Sequence, residues 1–122
     1  MAHKILIVED DSFLQGLAMT KLEKEGFAVL AAGNAEEAQK ILATDSPELV
    51  LLDLILPGAD GFSILEAIRK EDKTKTLPVI VFSNLSEDKD ITRAKELGAT
   101  DYMVKSNFTL DELAERVKGI LK

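Results

Sequence analysis

Three carboxylates, a hydroxyl and an ammonium stand at positions of this sequence that could do chemistry. Glu9 and Asp10, with Asp11 behind them, follow the apolar run Ile5-Leu6-Ile7-Val8. Asp53 follows Leu49-Val50-Leu51-Leu52. Ser83 and Asn84 follow Pro78-Val79-Ile80-Val81-Phe82, and Lys105 follows Tyr102-Met103-Val104. Each time a polar group comes directly after a stretch that favours burial. Asp53 is the hardest to read as ordinary surface, since a carboxylate after four apolar residues loses part of its water. Asp11 or Ser12 reads instead as the cap of a helix, and Ser83 or Lys105 alone would pass as a surface residue. The joint pattern carries more weight than any member.

If Glu9, Asp10 and Asp53 converge, three negative charges face the single positive charge of Lys105. Two like charges about 5 Å apart repel by about 3 kcal/mol at an effective dielectric near 20. Such a cluster calls for a proton or a cation. All-oxygen ligands without His or Cys suit Mg²⁺ better than Zn²⁺. His3, the chain's single histidine, precedes the first strand and is expected to be exposed. A carboxylate beside Mg²⁺ can attack a phosphoryl group and form an acyl phosphate. Lys105 and Ser83 would then stabilise charge on the equatorial oxygens, and ionised Asp53 needs no general base.

The elements that must position these groups alternate strand and helix five times. The strands read as Lys4–Val8, Phe27–Ala31, Leu49–Leu52, Pro78–Phe82 and Tyr102–Val104. Leu49–Leu52 has no polar face, which predicts cover on both sides. Between them, apolar residues recur at helical spacing: Leu14, Leu17, Ala18 and Leu22; then Ala35, Ala38, Ile41 and Leu42; then Ile64, Leu65 and Ile68. The fourth helix has the thinnest face (Ile91, Ala94, Leu97), and the last has Leu110, Leu113, Ala114, Val117 and Leu121. Asn34 with Glu37, Ser86, and Thr109 read as starts of the second, fourth and fifth helices. Leu54 to Gly61, with Pro57 and Gly58, reads as loop. This order predicts an α/β fold, a doubly wound parallel sheet with helices on both faces. Its ligand site lies beyond the carboxyl ends of the strands, where all five chemical residues fall.

Length and composition agree. A chain of 122 residues with 46% apolar and 30% charged residues is expected to be one domain spanning residues 1–122 with its own core. The absence of cysteine excludes a disulfide framework and a thiol nucleophile. No apolar run approaches membrane-spanning length, so a soluble, cytoplasmic protein with no membrane partner is expected. The net charge of −7 sits wholly in residues 1–61, with eleven acidic and four basic residues; residues 62–122 balance. Such a surface repels nucleic acid.

Taken in order, four stretches resemble the receiver domain of two-component response regulators. They are Ile5-Leu6-Ile7-Val8-Glu9-Asp10-Asp11, Leu51-Leu52-Asp53-Leu54-Ile55-Leu56-Pro57-Gly58-Ala59-Asp60-Gly61, Pro78-Val79-Ile80-Val81-Phe82-Ser83, and Gly98-Ala99-Thr100-Asp101-Tyr102-Met103-Val104-Lys105. The resemblance implies a flavodoxin-like (βα)5 fold with strand order 2-1-3-4-5. It implies Asp53 as phosphoryl acceptor and Mg²⁺ held by Glu9, Asp10, Asp53 and the backbone carbonyl of Ile55. Ser83 is implied as switch hydroxyl, Lys105 as the lysine that pairs with the phosphoryl group, and Tyr102 as the switch aromatic that moves inward. The implied donor is a phosphohistidine on a sensor histidine kinase or a histidine phosphotransfer protein. With the chain closing at Lys122 after the fifth helix, a stand-alone, chemotaxis-type regulator without an effector domain is expected. It would act on a downstream protein target through the fourth helix, fifth strand and fifth helix, where Arg93, Lys95, Asp101, Glu112 and Arg116 could form a charged surface. A weak homodimer through that face is the other open use of it.

The sequence departs from the resemblance in two places. Ser106 stands where the family usually has a proline, often cis. A cis bond before a non-proline residue costs about 2.5–4 kcal/mol, so a trans, rearranged loop is expected. Asn84 is larger than the small residue common after the switch hydroxyl and is expected to narrow access to the phosphoryl group. Ile55 and Leu85 flank the site and cannot orient a hydrolytic water, which predicts slow self-dephosphorylation rather than enzyme-like turnover. Two other readings compete. A haloacid-dehalogenase-type phosphatase needs a second Asp two residues after the nucleophile, where Ile55 stands. A pseudo-receiver that binds proteins without phosphotransfer would not require all five site residues, yet all are present. A dinucleotide site is disfavoured because no G-x-G-x-x-G follows the first strand.

Overall fold

A computed structural model describes residues 2–121. The strands of the main sheet are β1 (Lys4–Val8), β2 (Ala28–Ala32), β3 (Leu49–Leu52), β6 (Val79–Ser83) and β7 (Asp101–Val104). All neighbours are parallel, in the order β2-β1-β3-β6-β7. Counted within this sheet, that is the expected 2-1-3-4-5. The helices are α1 (Ser12–Lys24), α2 (Ala35–Thr44), α3 (Gly61–Lys70), α4 (Asp88–Glu96) and α5 (Leu110–Leu121).

The period of two along each strand divides the core. Leu6, Val8, Val50, Leu52, Val79 and Val81 face α2, α3 and α4 in one apolar layer. Ile5, Ile7, Leu49, Leu51, Ile80, Phe82 and Met103 face α1 and α5 in the other. Both faces of β3 are covered, as its unbroken apolar run requires. Ladder pairs Val8↔Leu52, Leu52↔Val81 and Ser83↔Val104 align the strands' carboxyl ends. The residues that follow them therefore come out along one edge.

Helix starts follow side-chain capping with one exception. Asp11 caps α1 by accepting from the amides of Phe13 and Leu14 at 3.0 and 3.1 Å. Asn34 caps α2 by accepting from Glu37 N, while the Glu37 carboxylate takes the amide of Gly33 rather than that of Asn34. Thr109 and Glu112 form a reciprocal box before α5. Ser86, the expected cap of α4, does not cap it: the cap position falls one residue later, at Glu87, with no side-chain cap bond.

The structure corrects three further expectations. Leu17 is 43% exposed. The buried line of α1 runs through Ala18 and Leu22, and Leu17 sits about 100° round the helix from Ala18. His3 is half-buried, with Nδ1 2.5 Å from Glu48 Oε2. Within Leu54–Gly61 lies a two-stranded antiparallel ribbon, β4 (Ile55–Leu56) and β5 (Ala59–Asp60), turned at Pro57 and Gly58. Gly58 has φ +68° there, a conformation that costs glycine nothing.

Two sets of polar contacts tie helices together. Lys21 of α1 pairs with Asp111 and Glu25, and Lys118 of α5 pairs with Glu25 and Glu115, so a chain of ion pairs runs along the α1–α5 seam. On the opposite face, Arg69 near the end of α3 donates from Nε to Gly98 O at 2.9 Å and from Nη1 to Thr74 O at 3.2 Å. Gly98 ends the turn after α4 with φ +104°, and a Cβ there would lie 2.9 Å from Arg69 Nε.

Candidate functional site

Glu9 and Asp53 extend β1 and β3 by one residue, Ser83 is the last residue of β6, and Lys105 follows β7. Glu9, Asp53 and Ser83 are at most 5% exposed, whereas Asp10 is exposed. The aligned strand ends bring all of them together, and Lys105 lies at the centre. Its ammonium donates to Asp53 Oδ2 at 2.7 Å and to Glu9 Oε1. Asp53 Oδ1 accepts from the Ser83 hydroxyl at 2.9 Å and from the Ile55 amide at 3.0 Å. Glu9 Oε2 accepts from the Asp11 amide at 3.1 Å.

Burial and partners pull the ionisable groups in definite directions. Burial pushes the Glu9 carboxyl above its ordinary value; Lys105 and the Asp11 amide offset part of that, and the Asp53 charge adds to it. Burial alone would lower Lys105, yet its hydrogen bonds to Asp53 and Glu9 outweigh this and hold it above the usual lysine value. Lys105 therefore stays an ammonium and cancels one of the carboxylate charges.

One oxygen from each of Glu9, Asp10 and Asp53 lies within 4.8 Å of the others. With three hard anionic donors and no imidazole or thiolate, this set fits Mg²⁺ by charge and ligand type. Asp10 is exposed, which leaves room for the waters that Mg²⁺ keeps. Ile55 lies in β4, directly after the turn that carries Asp53, and its side chain is 52% exposed.

Behind Asp53 the chain is close-packed. A Cβ on Gly61 would meet the Asp53 carbonyl oxygen at 2.8 Å and the Leu54 Cα at 2.4 Å. Only glycine lets α3 begin that close to Asp53. Tyr102, half-buried, donates its hydroxyl to Leu85 O at 2.6 Å. Burial first, then the charges of Asp90 and Asp53, push its pKa up to about 12. The Ser83 hydroxyl rests on Asp53, and the Tyr102 hydroxyl reaches the loop after Ser83.

Several contacts were not visible in the sequence. Gln15 donates from α1 to Glu9 O at 2.9 Å, and Asn84 Oδ1 accepts from the Ser106 amide at 3.2 Å. The sole signal for Gln15 was a polar residue in register with Ala18 and Leu22. No cis peptide bond occurs among the described residues; Lys105–Asn107 forms a 3₁₀ turn. The expected charged surface is divided. Arg116 pairs with Asp101 and Glu112 caps α5. Arg93 turns instead to α3, 4.2 Å from the Phe62 ring centroid and 3.9 Å from Asp60 Oδ2.

A family model described as the response regulator receiver domain matches residues 5–118. The phosphate regulon transcriptional regulatory protein PhoB of Escherichia coli is 34% identical over 122 residues, which cover all of this chain and 53% of that protein. The chain spans about half the length of the curated relatives it matches. Among solved structures, a two-component response regulator from Clostridium difficile superposes with a TM-score of 0.90 at 31% identity, over 98% of this chain and 95% of the other. The chemotaxis response regulator CheY4 of Vibrio cholerae gives 0.91 at 22% identity, over 99% of this chain and the whole of the other; at that identity it attests the fold.

Proposed function

The chain belongs to the response regulator receiver domain family, and on that premise we propose that it is the phosphoacceptor of a two-component relay, charged on Asp53. The observation that supports this best is the convergence on one buried carboxylate of a hydroxyl, an amide and an ammonium. These are the donors that a phosphoryl group on that carboxylate would need. An Asp53 oxygen attacks phosphorus, the bond from phosphorus to the donor's histidine nitrogen breaks, and the imidazole leaves with that electron pair. Ser83 and Lys105 then donate to phosphoryl oxygens. Mg²⁺, held by Glu9, Asp10, Asp53 and the Ile55 carbonyl, supplies charge neutralisation when bound. Residues 1–122 act as one receiver unit in the cytoplasm; among those described, no helix is long and apolar enough to cross a membrane.

The donor is a phosphohistidine on a sensor kinase or phosphotransfer protein. The output is a change at α4, β7 and α5 that a downstream protein reads. Ser83 gains a stronger acceptor, Tyr102 holds Leu85, and α4, with Ala94 its only buried residue, has little packing to resist a shift.

The test is incubation with acetyl phosphate and Mg²⁺, followed by intact mass. Wild type gains one phosphoryl group, and Asp53→Ala gains none. A wild type without mass gain replaces this reading by a phosphorylation-independent binding module. Decay of the phosphorylated form is expected to be slow, because Ile55 offers no group to align water. Ile55→Asn is expected to hasten it severalfold, and an unchanged decay rate overturns that expectation.

A further inference from the structure

Ser83, Asn84 and Leu85 are consecutive, and each holds a different part of the site. Ser83 reaches Asp53, Leu85 accepts from Tyr102, and Asn84 accepts the Ser106 amide. The third contact has no role in the reading above. We propose that Asn84 and Ser106 form a latch that fixes the backbone after Lys105, so that Asn84 is a positioning residue for phosphoryl transfer. This rests on Asp53 being the phosphoacceptor.

Few backbone bonds hold Lys105 from behind. The last rung between β6 and β7 is Ser83↔Val104. Beyond it, the 3₁₀ turn closes on a long Phe108 N to Lys105 O bond of 3.4 Å. Lysine carries its charge on a flexible four-carbon stem, so the ammonium is only as well placed as its backbone. While Asp53 and Glu9 are both free, their carboxylates hold the ammonium from the front. Once an Asp53 oxygen is committed to phosphorus, part of that hold is lost and the backbone must compensate. The Asn84 side chain supplies one more rung, two residues past the last strand pair. A proline at 106 would have no N–H for it; Ser106 has one, and the structure spends it on Asn84. The same loop that carries the Ser83 hydroxyl thus carries the anchor for Lys105, and the two donors move as a unit.

This reading opposes the one from side-chain size. If Asn84 merely narrowed access, Asn84→Ala would speed phosphorylation. As a latch, Asn84→Ala slows it by about threefold, the factor equivalent to a net hydrogen bond of typical strength. The 122-residue chain is followed by mass gain with acetyl phosphate and Mg²⁺, and in parallel by amide exchange at Ser106. Asn84→Ala is expected to lose both rate and Ser106 protection. Asn84→Asp, which keeps the acceptor oxygen, recovers both. In a Lys105→Ala background, Asn84→Ala costs nothing more. A wild type that gains no mass sinks the phosphoacceptor reading. A wild type that gains mass while Asn84→Ala matches or exceeds its rate sinks the latch alone, as does a Ser106 amide equally unprotected in wild type and Asn84→Ala.

Discussion

Lys105 shows how one cation reorganises a cluster that would otherwise repel itself. It bridges Glu9 and Asp53 directly; the sequence set its charge against three carboxylates without showing which of them it touches. The five chemical residues were legible because each ends an apolar run, and an aligned parallel sheet delivers run ends to one edge. Asn84 and Gln15 were not, because their partners are distant in sequence and their types are ordinary in loops and helices. Tyr102 gives the sharpest test at this scale. It is the only tyrosine in a chain without tryptophan, so its ultraviolet absorbance is unobscured. Tyrosinate is expected to appear near pH 12 rather than 10, because burial opposes ionisation. The folded state then holds this proton more tightly than the unfolded one. Its contribution to stability is complete below pH 10 and is lost as pH rises from 10 towards 12. Tyr102→Phe should lack that slope, and a midpoint at 10 in the folded protein would overturn the assignment.

Among the elements, α4 is held unevenly. Its N-terminal end has no side-chain cap and one residue, Ala94, buries fully. Its C-terminal end is gripped by Arg69, a guanidinium shared between two carbonyls. Burial lowers the pKa of Arg69, yet arginine remains charged at any relevant pH. Arg69→Met should therefore cost about 1–3 kcal/mol in urea unfolding and raise amide exchange selectively around Leu97 and Gly98. Exchange raised equally along the whole of α4 would contradict a one-ended grip. The thin face of α4 was plain from its sequence, whereas the grip came from another helix altogether. The ribbon of β4 and β5 was hidden for a different reason. Two residue pairs are too short for alternation to register, and Pro57 with Gly58 signals a turn whether or not strands flank it. Leu17 was misplaced because apolar spacing names a helix face to within one residue, and the buried line of α1 is narrower than that.

At the scale of the molecule, the main sheet has two unlike faces. α2, α3 and α4 cover one layer, with Tyr102 and Leu85 against it, so Tyr102 and α4 share a core. α1 and α5 cover the other, and their seam carries the ion pairs of Lys21, Glu25, Asp111, Lys118 and Glu115. These pairs are partly exposed, and dissolved ions shorten the reach of their attraction from about 10 Å at 0.1 M to about 3 Å at 1 M. The Arg69 contacts go to neutral carbonyls and have no such dependence. Sodium chloride should also relieve the mutual repulsion of a chain carrying −7. Raising it is therefore expected to loosen the α1–α5 seam while leaving the α3–α4 side as firm or firmer. Hydrogen exchange at low and high salt would read this as opposite changes on the two faces, and parallel changes would refute it. Ionic strength becomes a dial that addresses the two sides of the sheet separately, softening the α1–α5 side while sparing the α3–α4 side.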